Sequence, residues 1–140
     1  MESFLKKIVI AVLRWEARAV LNKFQPKIVA VTGSVGKSST KEAITVVLSL
    51  KYRVYKSPKS YNSAIGLPLT VLQQSTAWHS SAGWALVLWR GFFLRFQKEY
   101  SEVLVLETGV DRPGDMDSIL SIVEPQVSVV TAIGEIPVHV

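Results

Sequence analysis

A glycine-rich segment has the residue types and spacing of a phosphate-binding loop. It comprises Gly33, Ser34, Val35, Gly36, Lys37, Ser38 and Ser39. Its glycines permit the tight turn that directs backbone N–H groups toward an anion, and a helix beginning at residues 38–40 would add its positive dipole end. Lys37 would reach the β- and γ-phosphates of a nucleotide, while the Ser38 hydroxyl would bind Mg²⁺. This pattern predicts a nucleotide-phosphate site.

The segment is a shortened form of the common phosphate-loop pattern, because Val31 stands where the first glycine is usual. Its context nevertheless favours phosphate binding. An apolar, β-branched run at residues 28–32 predicts a buried strand before the loop, and a helical pattern follows at residues 43–50. The alternative is an ordinary glycine and serine turn with a chance lysine.

Glu107 is the second residue to which we assign chemistry. It follows the apolar run V-L-V-L at residues 103–106. The carboxyl ends of parallel strands meet at one edge of a sheet, so Glu107 would lie beside the loop and hold Mg²⁺ together with Ser38. A buried carboxylate is otherwise costly, so we expect Glu107 to be a metal ligand and not a structural acid. Lys37 and Glu107 are the predicted catalytic residues.

Three further residues follow predicted strands. Asn62 and Ser63 lie in the polar loop at residues 56–63, after a short strand at residues 52–55, and are candidate substrate-binding residues. Ordinary turn chemistry is an equal alternative for this pair. His139 lies beyond the last predicted strand, residues 127–131, which we expect to be buried. His139 is a third candidate metal ligand, although a lone histidine is more often inert.

Strands and helices alternate along the chain, which predicts an α/β fold: a P-loop-type parallel sheet flanked by helices. The last strand-like run ends at residue 133 of 140, so we expect a truncated sheet. Residues 1–26 would form an N-terminal amphipathic helix, and residues 27–140 the N-terminal part of a nucleotide-binding domain.

Two helical segments carry unusual apolar surface. Residues 3–24 have helical hydrophobic periodicity, and residues 81–100 are apolar on nearly all sides, with four aromatic residues among residues 89–96. Packing within the domain is the favoured interpretation for both. Peripheral membrane contact through residues 3–24 and 81–98 is the alternative, because basic residues flank the apolar ones.

Charge is distributed unevenly. Residues 1–60 contain 12 Lys and Arg and 3 Asp and Glu, whereas residues 61–140 contain 4 and 8. A basic first half suits a polyphosphate ligand or an anionic membrane surface. The charge has no accompanying nucleic-acid motif, so we expect no nucleic-acid partner. The lack of cysteine fits a reducing cytoplasm.

Four ordered motifs together resemble the central ATP-binding domain of Mur ligases. They are T-G-S-V-G-K-S-S-T-K-E, Y-N-S-A-I-G-L-P-L-T, V-L-E-T-G-V-D-R-P-G-D and V-V-T-A-I-G-E, beginning at residues 32, 61, 105 and 129. The resemblance implies a ligase that uses ATP and Mg²⁺. We expect it in the cytoplasm, with the inner face of the membrane as the alternative location. It would join a carboxylate-bearing cell-wall precursor to an amine, a dipeptide, through an acyl phosphate.

The resemblance also implies residue roles. Lys37 and the loop from Gly33 would hold phosphates, Ser38 and Glu107 would bind magnesium, and Asn62 would lie near the acceptor substrate. His139 would match the magnesium-ligating histidine of the family.

Two alternatives remain beside this interpretation. One is another ligase of the same superfamily, of the folylpolyglutamate or poly-glutamate synthetase type. The other is a non-catalytic, membrane-attached nucleotide-binding module. Phosphoryl transfer needs both substrates to be positioned, so we expect the 140-residue chain alone to be inactive.

Overall fold

The sheet of the computed structural model is parallel and four-stranded, as the sequence predicts. The structure describes residues 2–58, 65–77, 80–110 and 113–134. Its strands are β1 (Lys27–Thr32), β2 (Val54–Lys56), β3 (Val103–Glu107) and β4 (Val127–Val130), in the spatial order β2-β3-β1-β4. β1 pairs with β3 so that Val31 is opposite Glu107, which brings the end of β3 to the start of the glycine-rich loop.

Five helices connect or flank these strands within the described part of the chain. They are α1 (Glu2–Phe24), α2 (Lys37–Ser49), α3 (Gly66–Val71), α4 (Ser81–Leu94) and α5 (Asp115–Leu120). The parallel strands and flanking helices confirm the α/β prediction. Among the helices described, none is both long and apolar enough to cross a membrane.

The two faces of the sheet are covered by different helices. Alternate residues of β3 point to opposite faces, so Leu104 and Leu106 join one apolar cluster and Val103 and Val105 join the other. The first cluster contains residues of α1, α3, α4 and α5, while the second contains Ile44 of α2. The resulting three layers bury β3 completely, which fixes the position of Glu107 at its end.

The N-terminal helix packs on the domain through its second half. Leu13, Ala17 and Val20 are fully buried and belong to the same apolar cluster as α3 and α4. Phe24, the last residue of α1, stacks on Tyr100 with ring centroids 5.0 Å apart. The prediction that this helix packs within the domain is therefore confirmed for its second half, whereas Leu5 near its start is exposed. The division of the chain at residue 26 stays a prediction.

Several predicted elements differ from those observed. The second strand was predicted at residues 52–55 and begins instead at Val54, and the predicted helix at residues 81–100 ends at Leu94. The prediction that the fourth strand is buried was wrong, because Val127 and Val130 are both more than half exposed. An apolar run indicates a strand, but only the neighbouring layers decide whether it is covered, and β4 lies at the edge of the sheet.

Candidate functional site

The glycine-rich loop connects β1 to α2 at the carboxyl edge of the sheet. Gly33 has φ +135° and Gly36, which caps α2, has φ +85°, so both are in a backbone region that favours glycine. Lys37, the first residue of α2, donates from Nζ to the carbonyl oxygen of Gly33 at 2.7 Å. The lysine therefore lies over its own loop.

The segment after β4 supports the outer side of this loop, an arrangement that the sequence did not reveal. Ser34 donates its backbone N–H to the carbonyl of Ala132 at 2.6 Å, and its hydroxyl accepts from the N–H of Gly134 at 3.1 Å. Thr131 Oγ1 lies 2.7 Å from the carbonyl oxygen of Val35 and donates to it. A Cβ on Gly33 would lie only 2.1 Å from that same Oγ1, so glycine is required for this close approach.

Ser38 and Glu107, the two described residues predicted to bind magnesium, lie in contact. The Ser38 hydroxyl donates to Oε2 of Glu107 at 3.1 Å, which links the start of α2 to the end of β3. The structure confirms the prediction that Ser38 and Glu107 lie at the same edge of the sheet. Their role in binding metal stays a prediction.

Lys41 is the residue that the sequence analysis missed. It lies on α2 and is 3% exposed, as is Glu107, and its Nζ is 3.0 Å from Glu107 Oε2. The same Nζ donates to the carbonyl oxygen of Ser57 at 3.0 Å, and the Ser57 hydroxyl accepts from the N–H of Glu107 at 3.0 Å. Lys41, Ser57 and Glu107 thus form a closed polar ring that joins α2, the β2 end and β3.

This ring corrects the expectation that Glu107 is not a structural acid. Its charge is compensated by a buried lysine, so a metal ion is not needed to account for a carboxylate at this buried position. A signal was present in the sequence, because Lys41 follows Ser38 by three residues and therefore lies on the same face of the helix.

The chemistry of the ligand set fits magnesium. Mg²⁺ prefers oxygen ligands, keeps several waters, and is commonly held by one or two carboxylates together with the phosphates of a nucleotide. Ser38 and Glu107 would supply two such oxygens beside the loop. Within the described ranges, no group of three or more acidic or histidine side chains converges as a metal site.

A second ion pair stands at the rim of the site. Lys56, at the end of β2, binds the carboxylate of Glu42 on α2, one residue after Lys41. The hydrogen bond from Lys56 lowers the pKa of Glu42. Since both side chains are well exposed, this pair shapes the local charge more than it stabilises the fold.

Three predicted site residues lie outside the described residues: Asn62, Ser63 and His139. The structure describes the chain up to Pro58 and again from Ile65, and it describes the segment after β4 as far as Gly134. Their assigned roles in binding substrate and metal therefore stay predictions.

Comparison with known proteins identifies a matching family and several relatives of this chain. Residues 31–82 match the Mur ligase middle domain. A UDP-N-acetylmuramoyl-tripeptide–D-alanyl-D-alanine ligase from Bacillus subtilis is 33% identical over 126 residues, which cover 90% of this chain and 22% of the relative. An enzyme of the same name from Borreliella burgdorferi is 34% identical over 125 residues, with 89% and 22% covered.

Solved structures give the same result. The MurF ligase from Thermotoga maritima, crystallised with ADP, superposes with a TM-score of 0.66 at 31% identity, covering 89% of this chain and 24% of that one. MurF from Acinetobacter baumannii, at 24% identity and a TM-score of 0.61, supports the fold alone. The chain therefore spans about a quarter of the length of the solved relatives and carries the edge that contains the glycine-rich loop.

Proposed function

Because this chain belongs to the Mur ligase family and carries part of its middle domain, we propose that the whole protein is an ATP-dependent ligase of cell-wall precursor synthesis. Its substrates, by the names of its relatives, are a UDP-N-acetylmuramoyl-tripeptide and D-alanyl-D-alanine. The observation that carries the proposal is the convergence of Lys37, Ser38 and Glu107 at the carboxyl edge of β1 and β3. We place the activity in the cytoplasm, where ATP is available.

The proposed reaction needs few residues of this chain. The loop N–H groups and Lys37 hold the β- and γ-phosphates and stabilise negative charge as the γ-phosphoryl group moves. The precursor carboxylate takes that group from ATP and becomes an acyl phosphate, releasing ADP. The dipeptide amine then attacks the acyl carbon, so the amide bond forms, the amine loses a proton and phosphate leaves.

Ser38 and Glu107 are the described residues that would hold Mg²⁺, which supplies positive charge to the phosphates when bound. His139 is the further ligand that we propose, and Asn62 and Ser63 are proposed for the acceptor side. The resemblance of the motif that begins at residue 61 supports Asn62 and Ser63, and His139 is proposed by analogy with the magnesium-ligating histidine of the family.

The test is a coupled assay of the whole protein with ATP, Mg²⁺, the precursor and D-alanyl-D-alanine. Substituting L-glutamate for the dipeptide separates the proposal from the poly-glutamate alternative. Product with the dipeptide alone supports the proposal. ATP-dependent product with glutamate alone contradicts it, and ATP binding without either product favours the non-catalytic module.

The central variant for this proposal is Lys37→Ala. Loss of a charged hydrogen bond costs about 1.5–3 kcal/mol, so the Kd for Mg-ATP should rise roughly tenfold to a hundredfold in calorimetry. Lys51→Ala is the control, because Lys51 is an exposed lysine beyond the far end of α2. Equal affinities for wild type and Lys37→Ala would refute the role of this lysine.

A second candidate property is peripheral contact with an anionic membrane. Five aromatic side chains form what we call the aromatic surface: Trp15, Trp89, Phe92, Phe93 and Phe96. Trp89 and Phe96 are each more than 60% exposed. Arg95 contacts aromatic rings of both α1 and α4. Its guanidinium lies 5.0 Å from the ring centroid of Trp15 on α1 and 3.8 Å from that of Phe92 on α4.

The charge of the surrounding residues argues for lipid as the occupant of this surface. Arg90 and Lys98 lie on the same segment as the exposed rings, and a basic residue near an anionic bilayer contributes about 1 kcal/mol. We expect co-sedimentation with vesicles containing phosphatidylserine and less with neutral vesicles. Trp89→Ser combined with Phe96→Ser should abolish it, while Val46→Ser on α2 should not; binding unaffected by the paired change would overturn the idea.

A further inference from the structure

The buried pair of Lys41 and Glu107 sets the charge of the proposed magnesium site. Both side chains are 3% exposed, so solvent screens their attraction little. Two donors, Lys41 Nζ at 3.0 Å and the Ser38 hydroxyl at 3.1 Å, lie on the same carboxylate oxygen, Oε2. The carboxylate is therefore held in place by α2 from two successive turns.

The fixed positive charge of Lys41 also affects any cation that approaches. Ligand charge count is a main determinant of divalent-cation affinity in oxygen sites. Here the single described carboxylate is already neutralised by a lysine, and the other ligand, Ser38, is an uncharged hydroxyl. Such a site attracts a free divalent cation weakly, whereas the phosphates of a nucleotide bring several negative charges with them.

We propose that Lys41 makes cation binding at this site depend on the nucleotide. It holds Glu107 in the geometry of a ligand and opposes binding of a free divalent cation until nucleotide phosphates supply the negative charge. Lys41 is thus a positioning residue and not a catalytic one. This inference rests on the proposed function of the loop as an ATP site.

A purely structural role for the pair makes a different prediction. If Lys41 only stabilised the fold and no cation bound beside Glu107, its removal would lower stability because a buried charge loses its partner, but affinity for a free cation would not rise. If the proposal holds, Lys41→Met frees the Glu107 carboxylate for the cation, and affinity increases. The direction of the change in cation affinity separates the two roles.

The experiment measures Mn²⁺ binding by calorimetry and electron paramagnetic resonance on the full chain without nucleotide. We expect Lys41→Met to bind Mn²⁺ at least tenfold more tightly than wild type. Lys51→Met, which removes an exposed lysine beyond the other end of α2, should match wild type. Adding Glu107→Gln to Lys41→Met should remove the gain, because the freed carboxylate is then absent.

Thermal unfolding keeps the test decisive if Lys41→Met folds poorly. Mn²⁺ should raise the Tm of Lys41→Met, and of Lys41→Gln as a second variant, by more than it raises that of wild type. Equal Mn²⁺ affinity in wild type and both variants overturns the proposal. So does a rise in Tm with Mn²⁺ that is no larger in either variant than in wild type.

Mg-ATP binding by wild type is measured in parallel. If wild type does not bind Mg-ATP, the proposed function of the loop fails. If it does bind, but the variants gain no affinity for Mn²⁺, the inference on Lys41 alone fails.

Discussion

Glu107 combines two properties that are usually found in different residues. It is a proposed metal ligand beside Ser38, and it is one half of a buried ion pair with Lys41. The sequence suggested only the first property, because a carboxylate after an apolar strand is costly without a compensating cation. The structure shows that the compensating cation is a side chain.

Glu107→Gln tests both properties at once. Removing one partner of a buried ion pair costs about 3–5 kcal/mol, so we expect chemical denaturation to show that loss in the free energy of unfolding. Magnesium-dependent ligase turnover should also be lost, because the proposed metal ligand is absent. Joining Lys41→Met to Glu107→Gln should recover much of the stability without recovering turnover. A fully stable and active single variant would exclude both roles.

At Gly33, the backbone conformation and the packing both require glycine. Its φ of +135° disfavours any side chain, and a Cβ there would lie 2.1 Å from Thr131 Oγ1. We expect Gly33→Ala to push the loop away from the segment after β4 and to weaken Mg-ATP binding at least tenfold in calorimetry.

Gly114 provides the matched control for that change. It has φ +90°, but a Cβ added there would meet no described residue within 4 Å, so Gly114→Ala carries backbone strain without a clash. Gly114→Ala should lower stability modestly and leave nucleotide affinity unchanged. If both variants bind Mg-ATP like wild type, the loop does not depend on this contact.

At the scale of elements, the close packing of α1 and α4 is the unusual feature. Glu16 on α1 is 4% exposed, and a Cβ added at Gly91 on α4 would lie 2.3 Å from its Oε2. That oxygen has no hydrogen-bond partner among the residues that the structure describes. Burial raises the pKa of Glu16 to about 7, against the opposing effect of the Arg95 charge.

This raised pKa predicts a pH dependence of stability. The folded protein keeps the Glu16 proton up to about pH 7, whereas the unfolded chain releases it near the ordinary value of 4.5. The contribution of Glu16 to stability is therefore fully present below about pH 4.5 and is lost as the pH rises to about 7. At neutral pH and above, the charged form at this position destabilises the fold.

Glu16→Gln isolates that effect. Denaturation of wild type and variant across this pH range should show the variant gaining relative stability as the pH rises, by up to about 3 kcal/mol. The difference between the two proteins removes the contribution of other carboxylates, including Glu42, whose lowered pKa acts in the opposite direction. A pH-independent difference would show that Glu16 is not protonated in the folded state.

At the scale of the whole molecule, β4 is an edge strand with exposed apolar side chains. Among the described strands it pairs with β1 alone, and its residues Val127 and Val130 are more than half exposed. An exposed apolar edge strand offers unpaired backbone groups to another chain, and a lysine on such an edge opposes that pairing.

We therefore expect Val130→Lys to reduce self-association of this chain in sedimentation velocity experiments. Val46→Lys on α2 is the control, because Val46 is 65% exposed, similar to Val130 at 56%, but does not lie on a strand. If both substitutions reduce association equally, general apolar exposure and not the strand edge is responsible.

The sequence by itself determined the glycine-rich loop, the order of strands and helices, and the edge at which Lys37, Ser38 and Glu107 meet. These features follow from local properties: the backbone freedom of glycine, the period of apolar residues, and the rule that parallel strands end at a common edge. The Mur ligase middle domain matches residues 31–82, and the MurF structure from Thermotoga maritima has a similar fold, which agrees with this local encoding.

Tertiary structure alone decided which distant groups became partners. The pairing of Lys41 with Glu107, the support of Ser34 by the segment after β4, and the burial of Glu16 join residues at least 66 positions apart or on separate helices. The exposure of β4 is likewise decided by the tertiary structure. Each depends on which layer covers which face, and that property is set by packing between elements and not by the pattern within any one of them.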